Sequence, residues 1–73
     1  MKTLSDQCAT ALREWLEDVC FGLISNGVPW KDILIKDNDS VGRCDVLVKG
    51  VLKYRFQVSI EKFLAGELVI EKT

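Results

Sequence analysis

The sequence predicts an α+β fold: one long N-terminal amphipathic helix packed on one face of a four-stranded antiparallel meander, in the order α-β-β-β-β. Three observations predict it. Apolar side chains recur at helical spacing up to residue 26, the chain alternates with a period of two from residue 32, and no later connection is long enough for a parallel crossover. Seventy-three residues hold one core only, so residues 1–73 read as a single domain with a helix over 4–26 and a sheet over 32–72.

The helix comes first. At roughly 100° per residue, Leu4, Cys8, Ala11, Leu12, Trp15, Leu16, Val19 and Leu23 share one side. Asp6, Gln7, Arg13, Glu14, Glu17 and Asp18 share the other. Thr3 or Ser5 can cap the N-terminus, where Asp6 also suits the positive end of the dipole. Asn26-Gly27 followed by Pro29 ends the helix.

The strands follow. DILIKD (32–37), RCDVLVK (43–49), VLKYRFQVSI (51–60) and ELVIEK (67–72) alternate, with DNDS (37–40) as a turn. EKFLAG (61–66) reads as a loop or a single helical turn stopped by Gly66. Cys44, Val46 and Val48 form the dry face of the second strand, and Leu52, Tyr54, Phe56, Val58 and Ile60 that of the third. A two-residue loop at Lys49-Gly50 would oppose Val46 and Lys53 and mix the faces. A three-residue loop, Val48-Lys49-Gly50, is therefore expected, pairing Leu47 with Val51, Val46 with Leu52 and Asp45 with Lys53. The long helix is the one element able to cover the dry face.

Composition narrows the chemistry. Hydrophobic residues at 48% and charged residues at 29% mark a globular chain rather than a disordered tail. A formal net charge of −1 argues against holding nucleic acid by overall charge. With no histidine, Ser-His-Asp and Cys-His mechanisms and the common zinc sites are excluded within this chain. The 3 cysteines, Cys8, Cys20 and Cys44, form an odd set without a CxxC pair, so core filling in a reducing, cytoplasmic setting is expected. The charged N-terminus is unlike a signal peptide, and no apolar run approaches a membrane span.

DNDSVG (37–42) offers Asp37, Asp39 and Gly42 at calcium-loop offsets, but Val41 and Val48 stand where ligands are needed. It reads as a connecting turn. The stretch GRCDVLVKGVLKYRFQVSIEK (42–62) resembles, in outline, the metal-binding hairpin of the PD-(D/E)XK nucleases, whose fold runs helix, three strands, helix, strand. That family holds its metal with an aspartate on one strand and an acidic residue two before a lysine on the next. The resemblance implies Asp45 as the metal-binding aspartate, with Glu61 or Glu67 as further carboxylates. The acidic-x-Lys step reads Gln57-Val58-Ser59 here, which lacks both the carboxylate and the cation. In the expected register Gln57 also lies about 13 Å from Asp45 along the strand.

Two surfaces stand out instead. Arg43, Lys49, Lys53 and Arg55 are placed on the open sheet face with Asp45, Gln57 and Ser59, while the helix exposes acids. No aromatic shares that face to stack a base. Phe21 and Ile24 fall on the polar side of the helix; either they form a contact surface with Trp30, or the Val28-Pro29-Trp30 segment encloses them. The expectation is a non-enzymatic protein-binding module, an inhibitor or adaptor without metal or cofactor, homodimeric or partner-bound. Small proteins of this make-up are frequent among phage and mobile-element inhibitors of host systems. Nucleic-acid binding through the basic face is the alternative, and a minimal PD-(D/E)XK-like nuclease the second.

Overall fold

The computed structural model describes residues 3–73. Helix α1 spans Leu4–Ser25. Its cap is reciprocal: the Asp6 N–H donates to Thr3 Oγ1 at 3.1 Å, and the Thr3 N–H donates to the Asp6 carboxylate at 3.4 Å. Two of the orphan donors of the first turn are satisfied this way. At the other end the Asn26 N–H and side-chain amide both donate to the Gly22 carbonyl, and Gly27 turns the chain away.

A 3-10 turn at Trp30–Asp32 leads into β1, Ile33–Asn38; a second, Asp39–Val41, precedes β2, Arg43–Val48. Strand β3 spans Val51–Val58, a short helix α2 Ile60–Leu64, and β4 Ile70–Lys72. The sheet order is β1-β2-β3-β4 with every pairing antiparallel, the meander expected from the alternation.

Helix α1 lies across one face of the sheet. Trp15, Cys44, Val46, Phe56 and Val58 are buried, and the Trp15 and Phe56 rings meet at 5.4 Å between centroids, tilted by 47°. Cys8, Ala11, Leu12, Leu16, Val19 and Leu23 from α1 pack around them, with Ile33, Phe63, Leu68 and Ile70 closing the margins. Among the described residues the opposite sheet face has no layer over it.

The hairpin departs from the expected register. Its loop is the two-residue Lys49-Gly50, with Val48 opposite Val51 and both loop residues at positive φ, 52° and 80°. Such a primed turn matches the right-handed twist of the strands it joins. The mixing of faces is avoided by a β-bulge: Leu47 pairs with Leu52, Val46 with Tyr54, and Lys53 is the extra residue between. From there the faces are in phase, with Asp45 opposite Arg55 and Cys44 opposite Phe56. Asp45 therefore faces Arg55, not Lys53. Leu52 moves from the expected dry face to the open one.

Two element ends are also corrected. Strand β3 stops at Val58 because the Ser59 hydroxyl accepts from the Lys62 N–H at 3.3 Å, capping α2. Ile60 is thus helical rather than a strand residue. Strand β4 begins at Ile70 instead of Glu67, because the Glu67 N–H closes back onto the Lys62 carbonyl at 2.9 Å. The backbone pairing continues to Thr73, which exchanges two hydrogen bonds with Arg55 at 2.8 and 2.9 Å.

Candidate functional site

The open face of the sheet is read from the register. Residues opposite one another share a face, and faces alternate along each strand. Leu34 of β1, Leu47 of β2 and Leu52 of β3 are consecutive cross-strand partners and form one row. Leu34 is 51% exposed and Leu52 45%. The next row is Lys36, Asp45 and Arg55; the one after is Asn38, Arg43, Gln57 and Glu71. An apolar strip is thus bordered by a charged one.

Asp45 is the centre of the charged rows. Arg55 Nε donates to its Oδ1 at 2.9 Å, and Arg43 Nε stands 3.8 Å from its Oδ2. The short contact has a backbone cause. Both peptide groups of Arg55 are committed to Thr73, so opposite Asp45 it forms the closer, non-hydrogen-bonded type of antiparallel pair. One aspartate thereby orders two guanidinium groups on an open surface.

The four cations expected on one face divide between two places. Arg43 and Arg55 stay on the open face with Asp45. Lys49 lies in the hairpin turn, and the bulge directs Lys53 to the helix side. Both line an open groove of about 460 Å³ with Asn26, Val28, Pro29 and Val51, beneath the C-terminal end of α1. Carbonyls at a helix C-terminus favour nearby cations.

Phe21, Ile24 and Trp30 are all exposed, Phe21 at 75%. The segment after the helix does not enclose them. Phe21 and Ile24 are one turn apart on α1, and Trp30 opens the following 3-10 turn.

The nuclease-like expectation meets a different geometry. The observed register brings Gln57 to a diagonal neighbour of Asp45, about 7–8 Å away rather than about 13 Å. What stands beside Asp45, however, is two cations. Glu61 instead lines a shallow hollow of about 500 Å³ with Gln57, Ser59 and Glu71, which neither Asp45 nor Glu67 reaches. Among the described residues no group of three His, Cys, Asp or Glu side chains is arranged to hold a metal ion. Around the turn expected from DNDS, Ser40 Oγ donates to Asn38 Oδ1 at 2.8 Å; the Asp39 side chain lies outside the described residues.

Cys8 and Cys44 are placed as packing groups. Cys44 is 1% exposed and Cys8 packs against the core, while Cys20 is half-buried. Burial pushes the Cys20 thiol up from its ordinary value. A raised thiol carries less thiolate at neutral pH and is a poorer nucleophile.

The leucine row escaped the sequence reading because it depends on the two-residue turn, which sets Leu47 opposite Leu52 before the bulge shifts the later pairs. Its signal was the Lys49-Gly50 dipeptide, whose preference for a two-residue turn forces an extra residue into β3. Among the described residues no helix is long and apolar enough to cross a membrane. Comparisons with protein-family models, with curated proteins and with solved structures find no match for this chain.

Proposed function

We propose that this chain is a small non-enzymatic protein-binding module, an inhibitor or adaptor that works through the open face of its sheet. The observation that carries the reading is the row Leu34-Leu47-Leu52, with Leu34 and Leu52 exposed, Arg55 in the row beside it and Arg43 in the row after. Apolar anchors beside arginines held in place by a carboxylate are the make-up of a recognition surface. They fit a partner segment that presents apolar side chains next to acidic ones.

The area of the molecule supports it. The accessible surface is 5245 Å². A folded monomer of 8.2 kDa is expected to expose about 4,500 Å². The surplus, about 700 Å², is close to what one partner contributes to a standard interface.

Quantitative capture from lysate of the source cells, compared across variants, tests the reading. Wild type is expected to retain a defined partner that Leu52→Asp and Arg55→Glu each release. Glu14→Lys, on the exposed side of α1, is expected to leave capture intact. Capture insensitive to both open-face variants but abolished by Phe21→Ser would move the site to the helix end.

The second reading is nucleic-acid binding through Arg43, Lys53 and Arg55. Its supporting observation is the pair of arginines on an open sheet; the bulge, which takes Lys53 to the helix side, weakens it. Fluorescence anisotropy with short DNA and RNA at low salt decides it: salt-sensitive binding lost in Lys53→Glu/Arg55→Glu supports this reading, and absent binding ends it.

A further inference from the structure

We infer that two copies of this chain pair through strand β1, antiparallel and about a two-fold axis at Leu34, to form a continuous eight-stranded sheet. Strand β1 is an edge of the sheet, with β2 on one side and no strand on the other among the described residues. It is six residues long and begins Ile33-Leu34-Ile35, of which Leu34 and Ile35 are exposed. A long apolar edge is a template for another strand unless something blunts it.

The peptide groups are turned correctly. The Lys49 N–H donates to the Asp32 carbonyl at 3.0 Å, so the even-numbered residues here aim their backbone at β2. By the alternation of an antiparallel strand, Ile33 and Ile35 aim theirs outward. The Ile33 N–H is engaged with the Trp30 carbonyl, which leaves its C=O and both groups of Ile35 for a neighbour. Across the axis, each Ile35 N–H then donates to the Ile33 carbonyl of the second copy.

Side chains select the register. A two-fold axis perpendicular to the sheet allows only shifts of two residues, because a shift of one would oppose unlike faces. Centred on Leu34, the pairing puts Leu34 against Leu34, Ile33 against Ile35, and Asp32 against Lys36 twice. Neither Asp32 nor Lys36 forms an ion pair in the single chain among the described residues. Centring on Lys36 would set like charges together, and centring on Ile35 would set Leu34 against Lys36.

The same register joins the two open faces. Leu52, Leu47 and Leu34 continue into Leu34, Leu47 and Leu52 of the second copy, a strip of six leucines about 24 Å long at the usual strand spacing. The pairing does not rest on the functional reading, since it concerns the chain alone.

Sedimentation equilibrium of the purified chain across a concentration series tests it, with circular dichroism to follow folding. Wild type is expected to dimerise reversibly. Lys36→Asp is expected to weaken the dimer by about tenfold, and Asp32→Lys/Lys36→Asp to restore it. Ile35→Pro removes a donor that the single chain does not use, and is expected to give a folded monomer. If Ile35→Pro fails to fold, the charge exchange decides. A wild-type chain monomeric up to about 100 μM overturns the pairing. So does a dimer unaffected by Lys36→Asp, or one lost in Phe21→Ser but kept in a folded Ile35→Pro.

Discussion

Asp45 separates the readings of this surface better than any other residue. Its carboxylate lies between Arg55 at 2.9 Å and Arg43 at 3.8 Å, on a face where both arginines are more than a third exposed. Solvent screening keeps such pairs to within about 1 kcal/mol, so Asp45→Asn is expected to leave the urea midpoint nearly unchanged. Its effect on recognition has the opposite sign in two readings. Freeing both arginines is expected to tighten binding to an acidic partner, whereas loss of a metal carboxylate would abolish cleavage. Titration calorimetry against the captured partner, and a Mg²⁺-dependent cleavage assay, read these outcomes. Glycines give a second residue-scale contrast. Gly42 and Gly50 both have positive φ, 62° and 80°, but a Cβ on Gly42 would meet Ile60 Cδ1 at 3.0 Å and Val58 Cβ at 3.3 Å, while one on Gly50 meets open space. Gly50→Ala is expected to cost about 1 kcal/mol in denaturant unfolding, and Gly42→Ala clearly more.

At the scale of elements, α1 is held by the apolar stripe it packs on the sheet, centred on the Trp15–Phe56 ring contact, and by its N-terminal cap. Phe56→Ala removes the partner of Trp15 and is expected to cost about 3–5 kcal/mol, enough to unfold much of a domain this small at room temperature. Circular dichroism against temperature checks it. Thr3→Ala removes the acceptor of the Asp6 N–H and is expected to cost about 1 kcal/mol. The helix was legible almost residue for residue, since period, cap and stop are all local. The hairpin was not. Alternation alone makes a two-residue loop look impossible, because it supposes that both strands keep the same phase throughout. A bulge breaks that supposition at Lys53, and its small local cost is offset by a favourable turn and a consistent core. Ser59 shows the converse: its capping role was written in the sequence, but the alternation from Val51 to Ile60 favoured a longer strand.

The whole molecule is a two-layer plate, 40 × 23 × 16 Å, with a radius of gyration of 13.2 Å. A compact chain of this length would have about 11 Å. The excess reflects a sheet covered on one face only, which leaves Leu34 and Leu52 exposed; Phe21, Val51 and Leu64 are large exposed apolar side chains elsewhere on the surface. Burying some of them stabilises the folded state by mass action, so the melting temperature is expected to rise with protein concentration if the chain self-associates. A melting temperature independent of concentration over about a hundredfold range would instead describe a monomer.

What the sequence determined by itself is the fold class, the order of elements, the helix ends and the inner face of α1. These follow from periodicity and capping, which act over a few residues. It also excluded histidine-based chemistry by these residues themselves, through composition alone. What only the tertiary structure decided is which side chains meet on the open face. Strand pairing adds residues distant in sequence, and one bulge shifts every later pair of β2 and β3. That shift set Arg55 against Asp45 and sent Lys53 to the helix side, while the two-residue turn before it brought Leu52 beside Leu47. The stretch from Arg43 to Gln57 therefore carries its chemistry in a register, and a register is a property of two strands rather than of either one.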